Sequence, residues 1–433
     1  MIGVGEAALG FMLMLGLMLV GLPVAVAMFL TAFVGAMLTM GWPVLMTFGN
    51  QIWSGQNDFI LTAIPLFVFL GEILVRSGVA DGLYRCLSDW LRRLPGGLLH
   101  SNIGASAVFA AVSGSSVATA ATIGNVAIPI LTERKYDERL TAGTIAAGAT
   151  LGILIPPSIN MIIYGSMTNT SIGQLFAAGI VPGIALTLAF MGLIAGIALF
   201  RPSVAGPTLP ARPMQEKLRS LLEILPPLAI FAVVMGVIYG GWATPTESAA
   251  IGVTCALVVA LAKRRLNLSV LHEAMISTVR ISAMILLILV GAQFLNFVIG
   301  MLGIPQTLTR YVVELGAGPI QVLFLLILFY LVLGCFMETL SMMIATLPVV
   351  FPLILNLGID PVWFGIFLVL MMETGLITPP IGMNLYIVQG VRMRGSIMDV
   401  IWGSLPFVIL MLAFTVMLIF VPGLVLWLPE LLF

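Results

Sequence analysis

The stretch Gly152-Ile153-Leu154-Ile155-Pro156-Pro157-Ser158 decides the fold, because its proline pair stands inside an apolar run, 141–164, long enough to be one membrane helix. Each proline removes a backbone donor and disfavours helical geometry in the residue before it, so the run reads as two half-helices parted by unwound backbone. The chain does this twice. Gly375-Leu376-Ile377-Thr378-Pro379-Pro380 lies inside the run 361–388, and laying Pro379 over Pro156 gives an offset of 223. The same offset aligns Pro129 with Pro352, Asp137 with Asp360, and Ser115-Ser116 with Glu338-Thr339; Pro23 faces Pro245 and Gly78 faces Gly303 within two positions. One register serving roughly fifty residues marks an internal repeat.

Upstream of each proline pair lies an apolar stretch with a polar knot at its centre, 97–132 around Ser113-Gly114-Ser115-Ser116 and 317–355 around Glu338-Thr339. At 1.5 Å per residue the arm 98–112 reaches only about 22 Å, short of the ~30 Å of hydrocarbon, so each stretch reads as a re-entrant helical hairpin. Ten other runs read as crossings: 6–21, 23–41, 58–75, 141–164, 174–200, 222–241, 246–262, 281–301, 361–388 and 400–428. The expected fold is therefore an all-α polytopic membrane protein of two repeats, 1–205 and 221–433, joined by a cytoplasmic linker, 206–220. Each repeat has five crossings plus one hairpin, and an odd number of crossings turns the second copy upside down relative to the first. In carriers of that kind, ligand sites lie near mid-membrane at the broken helices.

Composition and charge agree with this map. Of 433 residues 61% are hydrophobic and 8% charged, at a mean hydropathy of +1.17, so the bilayer is the solvent. With both hairpins returning to their starting face, one side receives Arg76, Arg85, Arg92 and Arg93; Arg134, Lys135 and Arg139; Arg201, Arg212, Lys217 and Arg219; Lys263, Arg264, Arg265 and Arg280; and Arg392 and Arg394. That is 17 of 18 basic residues, only Arg310 lying elsewhere, and it makes this side cytoplasmic. The 18 basic and 18 acidic residues cancel, which gives no basis for a nucleic-acid partner. Cys86, Cys255, Cys335, His100 and His272 are too scattered for a disulfide frame or a zinc site. No phosphate-cradling G-x-x-x-x-G-K-[ST] loop is present, so ATP is not the direct driver, and no nucleophile stands with a His for catalysis. Residues 1–21 lack a basic n-region and a cleavage site and read as a retained helix.

A hairpin tip paired with a broken helix, twice, supplies the hydroxyl, carboxylate and carbonyl oxygens that a small hard cation requires. The candidates are Ser113, Ser115, Ser116, Thr119, Pro156 and Asn160 in the first copy, and Glu338, Thr339, Gly375, Thr378, Pro379 and Asn384 in the second. Taken singly, such residues also serve close helix packing and kinks. Carboxylates in apolar surroundings invite functional readings. Glu338, at a tip expected to face the first hairpin's serines, fits an ion site, a coupled proton or a cationic group of a substrate. Glu373, just before the second break, fits a functional role or a buried donor partner. Glu247 follows Pro245-Thr246 and suits the first turn of a helix, and Glu72 suits an i,i+4 pair with Arg76. The stretches 81–93 and 267–280 mix charged and apolar residues and read as interfacial helices.

At these residues the chain resembles the large membrane subunit of the tripartite ATP-independent periplasmic (TRAP) transporters, of the ion-transporter superfamily. The likeness spans essentially the whole chain and is carried by Ile64-Pro65-Leu66-Phe67, the stretch 109–124 with its Ser-Gly-Ser-Ser centre, Gly152 to Ser158 with Tyr164-Gly165, Pro182-Gly183, and Thr378-Pro379-Pro380-Ile381-Gly382-Met383-Asn384-Leu385. The resemblance implies a sodium-coupled importer in the bacterial inner membrane, with a scaffold and an elevator-type transport domain. It implies two partners, a small four-helix membrane subunit and a periplasmic substrate-binding protein, and organic-acid substrates such as C4-dicarboxylates, keto acids or sialic acid. Carried over by position, it implies sodium ligands among Ser113, Ser115, Ser116, Pro156, Asn160, Glu338, Thr339, Gly375, Thr378 and Pro379, and substrate contacts among Ser116, Thr119, Asn160, Glu338 and Asn384. A stand-alone sodium/dicarboxylate symporter or exchanger, and a channel-forming or structural subunit, are the competing readings.

Overall fold

In the computed structural model, which describes residues 3–204, 206 and 213–433, every regular element among the described residues is helical. Arg212 and residues 207–212 of the expected linker lie outside that range. Helices α1 (Val4–Leu19) and α2 (Val24–Thr39) are joined through Gly21, whose φ of +96° only glycine adopts readily. α3 (Phe48–Gln56) is an element the hydropathy pattern does not announce, being short and interspersed with Asn50, Gln51 and Gln56. α4 (Ala63–Arg76) turns at Gly78 into α5 (Val79–Leu91), which is amphipathic as the sequence suggests. The first polar knot separates α6 (Leu99–Ser113) from α7 (Ser116–Glu133), and the first proline pair separates α8 (Glu138–Leu154) from α9 (Ile159–Thr168).

Then come α10 (Ile172–Phe200), α11 (Met214–Tyr239), α12 (Pro245–Ala262), α13 (Leu268–Leu302) and α14 (Ile304–Glu314). The second polar knot parts α15 (Pro319–Gly334) from α16 (Thr339–Asn356), and the second proline pair parts α17 (Pro361–Leu376) from α18 (Met383–Arg392); α19 (Ile397–Phe420) and α20 (Gly423–Leu432) close the chain. Elements recur in the register of the sequence repeat. α16 begins and ends at the positions that answer the two ends of α7, and the start of α17 answers the start of α8. The N-cap carboxylates Asp137 and Asp360 accept from the amides of Leu140 and Trp363, each at 2.8 Å, and both Pro156-Pro157 and Pro379-Pro380 are cis.

Four expectations are revised. Residues 267–280 are not a separate interfacial helix: α13 runs unbroken for 35 residues, because no Gly or Pro interrupts it before Gly291. The run 400–428 is two helices, stopped at Pro422. Residues 214–220 of the expected linker are the first turns of α11, where Met214-Gln215-Glu216-Lys217-Leu218 are good helix formers. Among the described residues eight helices are long and apolar enough to cross a membrane, α16 included, whereas α1, α2, α15 and α17 have 16 residues each.

Two groups of helices pack together. One comprises α2, α4, α5, α11, α12 and α13; the other is built on α8 and α17, wrapped by α6, α7, α9, α10, α18 and α19. α8 is buried at every position from Leu140 to Leu154, and α17 from Val362 to Leu376, so both are interior helices, apolar on all sides. Close approach is made possible by glycine. A Cβ on Gly143 would fall on the carbonyl oxygen of Gly403 in α19, and one on Gly403 would fall on the carbonyl of Arg139.

Among the described residues ion pairs form two groups, and most of them join helices distant in sequence. Arg76 pairs with Glu72 in its own helix and with Glu273 at 3.8 Å; Glu223 takes Lys263 at 3.0 Å and Arg85 at 3.9 Å. Arg392, its side chain 6% exposed, pairs with Glu138 and, at 3.4 Å, with Asp399, which also takes Arg139 at 2.9 Å. Arg392→Met is expected to cost about 1–2 kcal/mol, below the ~3–5 kcal/mol of a fully buried pair because Glu138 and Asp399 regain water. Thermal unfolding in detergent measures it, and an unchanged midpoint refutes it.

Candidate functional site

The first polar knot folds into a tight reversal. Gly114, at φ +60°, ends α6, and Ser115 caps α7 by accepting from the amide of Ala118 at 3.3 Å. The Thr119 hydroxyl donates to the Ser115 carbonyl at 2.8 Å and lies 3.0 Å from the Ser113 hydroxyl, so three candidate residues form one hydroxyl and carbonyl cluster. This reversal rests on the first break. A Cβ on Gly114 would meet the Pro157 carbonyl at 2.9 Å, one on Gly152 would meet the Ser115 carbonyl and the Ser116 amide at 3.0 Å, and the Ser116 hydroxyl reaches the Thr150 carbonyl at 3.4 Å. α4 closes the other side, where a Cβ on Gly71 would meet the Ser113 carbonyl at 2.8 Å. Pro156, Pro157 and Ser158 are buried, and the Ser158 hydroxyl has no hydrogen-bond partner.

The second knot is built likewise but is more open. Gly334 and Gly375 touch backbone to backbone, each leaving only 2.7–2.8 Å for the other's Cβ, and the Cys335 thiol donates to the Pro379 carbonyl at 3.1 Å. Thr378 turns its hydroxyl back to the Thr374 carbonyl at 2.6 Å, while Pro380 and Ile381 are exposed. Glu338 does not reach the first hairpin's serines as expected. It caps α16: one carboxylate oxygen accepts from the Thr339 hydroxyl at 2.9 Å, the other from the Ser341 amide and hydroxyl at 3.1 and 3.2 Å. A carboxylate at a helix N-terminus is held by the orphan amides of the first turn, a local demand that a tip facing another hairpin would have to overcome. Glu247 is spoken for in the same way, in a capping box with Thr244.

Two candidates lie apart from their own hairpins and brace the two breaks together. Asn160 donates to the Met372 sulfur of α17 at 3.7 Å. Asn384 donates to the Ala146 carbonyl of α8 at 3.3 Å, leaving its side-chain oxygen without a partner. Sequence reasoning passes over Thr150, Ser158 and Met372; Thr150 was within reach, because the repeat register sets it opposite Glu373. The arrangement offers buried hydroxyls and freed carbonyls, with few donors competing for them at the first break. That chemistry suits a small monovalent cation, and the closeness of Gly152 to Ser115 shows that the tip and the break form one cradle. Among the described residues no group of three or more His, Cys, Asp and Glu stands together as a metal site.

Residues 11–424 match the family model described as "Tripartite ATP-independent periplasmic transporter, DctM component". The chain is 34% identical to the C4-dicarboxylate TRAP transporter large permease protein of Rhodobacter capsulatus, covering 99% of each chain. It is 33% identical to the ectoine/5-hydroxyectoine TRAP transporter large permease protein of Ruegeria pomeroyi, again over 99% of each, and 32% identical to the sialic acid TRAP transporter large permease protein of Vibrio cholerae, over 96% of this chain and 97% of that one. In fold it is similar to the Neisseria gonorrhoeae MtrF structure, at TM-score 0.62 and 13% identity over 90% of this chain and 85% of that one. It is similar also to the Alcanivorax borkumensis YdaH transporter, at TM-score 0.56 and 19% identity over 84% and 88%.

Proposed function

The chain belongs to the DctM family of large permease subunits of tripartite ATP-independent periplasmic transporters, and from that membership we propose that it catalyses sodium-coupled uptake of a small organic acid across the bacterial inner membrane. The substrate is of the C4-dicarboxylate, keto-acid or sialic-acid class, the first and last being cargoes for which two of the relatives are named. A periplasmic binding protein delivers it, and a small four-helix membrane subunit completes the scaffold. The observation that carries this reading is the doubled cradle, in which each hairpin packs on the broken helix of its own half, Ser115 against Gly152 in the first and Gly334 against Gly375 in the second.

In this reading the two halves, 1–205 and 221–433, are inverted repeats, and α6–α7 and α15–α16 are re-entrant hairpins. The helix ends that carry the ion-paired basic residues form the cytoplasmic face, which the charge distribution supports. Sodium is held at the first cradle by oxygens around Ser113, Ser115, Ser116, Pro156 and Asn160. At the second it is held around Thr339, Gly375, Thr378 and Pro379, with Glu338 shaping the turn. The substrate anion lies between, near Ser116, Thr119, Asn160 and Asn384, where half-helix ends and amides meet at mid-membrane. The group built on α8 and α17 then moves as a body against the group containing α2, α4 and α13, carrying sodium and substrate together.

Reconstitution tests this. The chain with its two partners in liposomes is expected to accumulate the acid under an inward sodium gradient and to stop when potassium replaces sodium. Accumulation indifferent to that exchange refutes the coupling, and uptake by the chain alone would establish the stand-alone symporter instead.

A further inference from the structure

α17 carries a carboxylate into the interior of the protein at the place where the other half's helix breaks. Glu373 is 0% exposed, and neither of its oxygens makes a hydrogen bond. The amides of Ile153 and Leu154, in the last turn of α8 before the break, lie beside it without reaching hydrogen-bond geometry. Its neighbour Met372 takes the amide of Asn160, the residue that follows the same break by three positions. So the second half's helix, ahead of its own break, is applied to the break of the first half. Ser158, within that break, is likewise unexposed and without a partner.

Two deficits meet here. The candidate cation ligands of the first cradle, Ser113, Ser115, Ser116, Pro156 and Asn160, supply only neutral oxygens. A dehydrated monovalent cation among neutral dipoles in a low-dielectric interior lacks the counter-charge that offsets its desolvation. Conversely, a buried carboxylate that no donor engages in a hydrogen bond and no cation neutralises is strongly unfavourable at membrane depth. Glu338 does not fill the gap, because its carboxylate is engaged at the start of α16. Glu72 is engaged by Arg76. We infer that Glu373, contributed by the second half, is the counter-charge for the cation held in the first half's cradle, so that this cation site is assembled from both halves and is complete only while α17 packs on α8. The inference rests on the sodium reading above and adds to it a residue from outside the paired hairpin and break.

Thermal unfolding of the purified full-length chain, titrated with NaCl at constant ionic strength against choline chloride, tests it without transport. The wild-type chain is expected to be stabilised saturably by sodium. Glu373→Gln, nearly isosteric and uncharged, is expected to unfold in choline at or above the wild-type midpoint, since it removes an unneutralised buried carboxylate, and to need at least about tenfold more sodium for half-maximal stabilisation. Glu373→Asp, which keeps the charge on a shorter arm, is expected to fall between. Should E373Q not be recovered folded, a weakened sodium response in E373D at an unchanged choline midpoint supports the inference equally. E373Q or E373D titrating like wild type overturns the inference while leaving the sodium reading intact, whereas a wild-type chain without any sodium-specific stabilisation overturns both.

Discussion

Gly143→Leu is expected to abolish recovery of folded, monodisperse protein. Position 143 is where α8 and α19 approach backbone to backbone: even a Cβ there would fall on the Gly403 carbonyl oxygen, and the reciprocal contact places Gly403 against the Arg139 carbonyl. Neither partner atom is the end of a flexible side chain, so the helices themselves must part. Interiors are close-packed, and parting one crossing forfeits dispersion contacts along the whole length of the pair. Overpacking alone typically costs about 1–3 kcal/mol, and a helix pair held apart at its tightest backbone contact exceeds the upper figure. That is a large share of the ~5–15 kcal/mol by which folded proteins exceed the unfolded state. Size-exclusion profiles of detergent extracts measure the outcome. Gly192→Leu on α10, where a Cβ would meet nothing within 4 Å, is the control expected to behave as wild type. A monodisperse G143L chain with a near-normal unfolding midpoint would refute the packing account.

The second large effect is on transport rather than on folding. Gly152→Val is expected to lower uptake at least ~100-fold while leaving the chain folded, because displacing a binding constellation by about 1 Å is enough for such a loss. A Cβ at position 152 would sit 3.0 Å from the Ser115 carbonyl and the Ser116 amide, the backbone of the first hairpin turn. The two γ-methyls of valine lie beyond that distance and drive the turn away from the break. The turn gives way more readily than the interior helix, since it is held by two short hydrogen-bonded hydroxyls and one cap while α8 is enclosed on all sides. Gly152→Ala, which asks for a shift of a few tenths of an ångström, is expected to be intermediate. Uptake in proteoliposomes with both partners reads the series, and G152V activity within threefold of wild type would show that the tip and the break do not act as one cradle.

Much of this architecture is legible in residue order because its causes are local. Proline takes away a donor wherever it stands, so both breaks, α8 from α9 and α17 from α18, follow from the two proline pairs. Asp137 and Asp360 cap the helices that follow them because a short acidic side chain reaches its own first-turn amides, and the repeat register makes one observation check the other. The same logic works against a long-range role for Glu338. Thr339 and Ser341 are its nearest neighbours in sequence, and they occupy its oxygens before any distant hairpin does. The unbroken α13 shows the limit of charge pattern, since Glu273 and Arg280 announce an interface but nothing in 267–290 ends a helix.

By itself, residue order determined that the chain is helical and membrane-embedded, where its helices reverse and break, and which hydroxyls and carbonyls stand at those points. Only the tertiary structure decided which apolar helices are interior and which face outward. α8 and α11 are both apolar enough to span, yet α8 is enclosed by protein and α11 leaves most of its apolar face exposed. Hydropathy measures transfer out of water, and lipid and protein core are nearly the same solvent by that measure. For the same reason the surroundings of Glu373 could not be read from its neighbours in sequence: its carboxyl group is buried beside α8, a helix from the other half of the chain, and that contact exists only once the two have packed together.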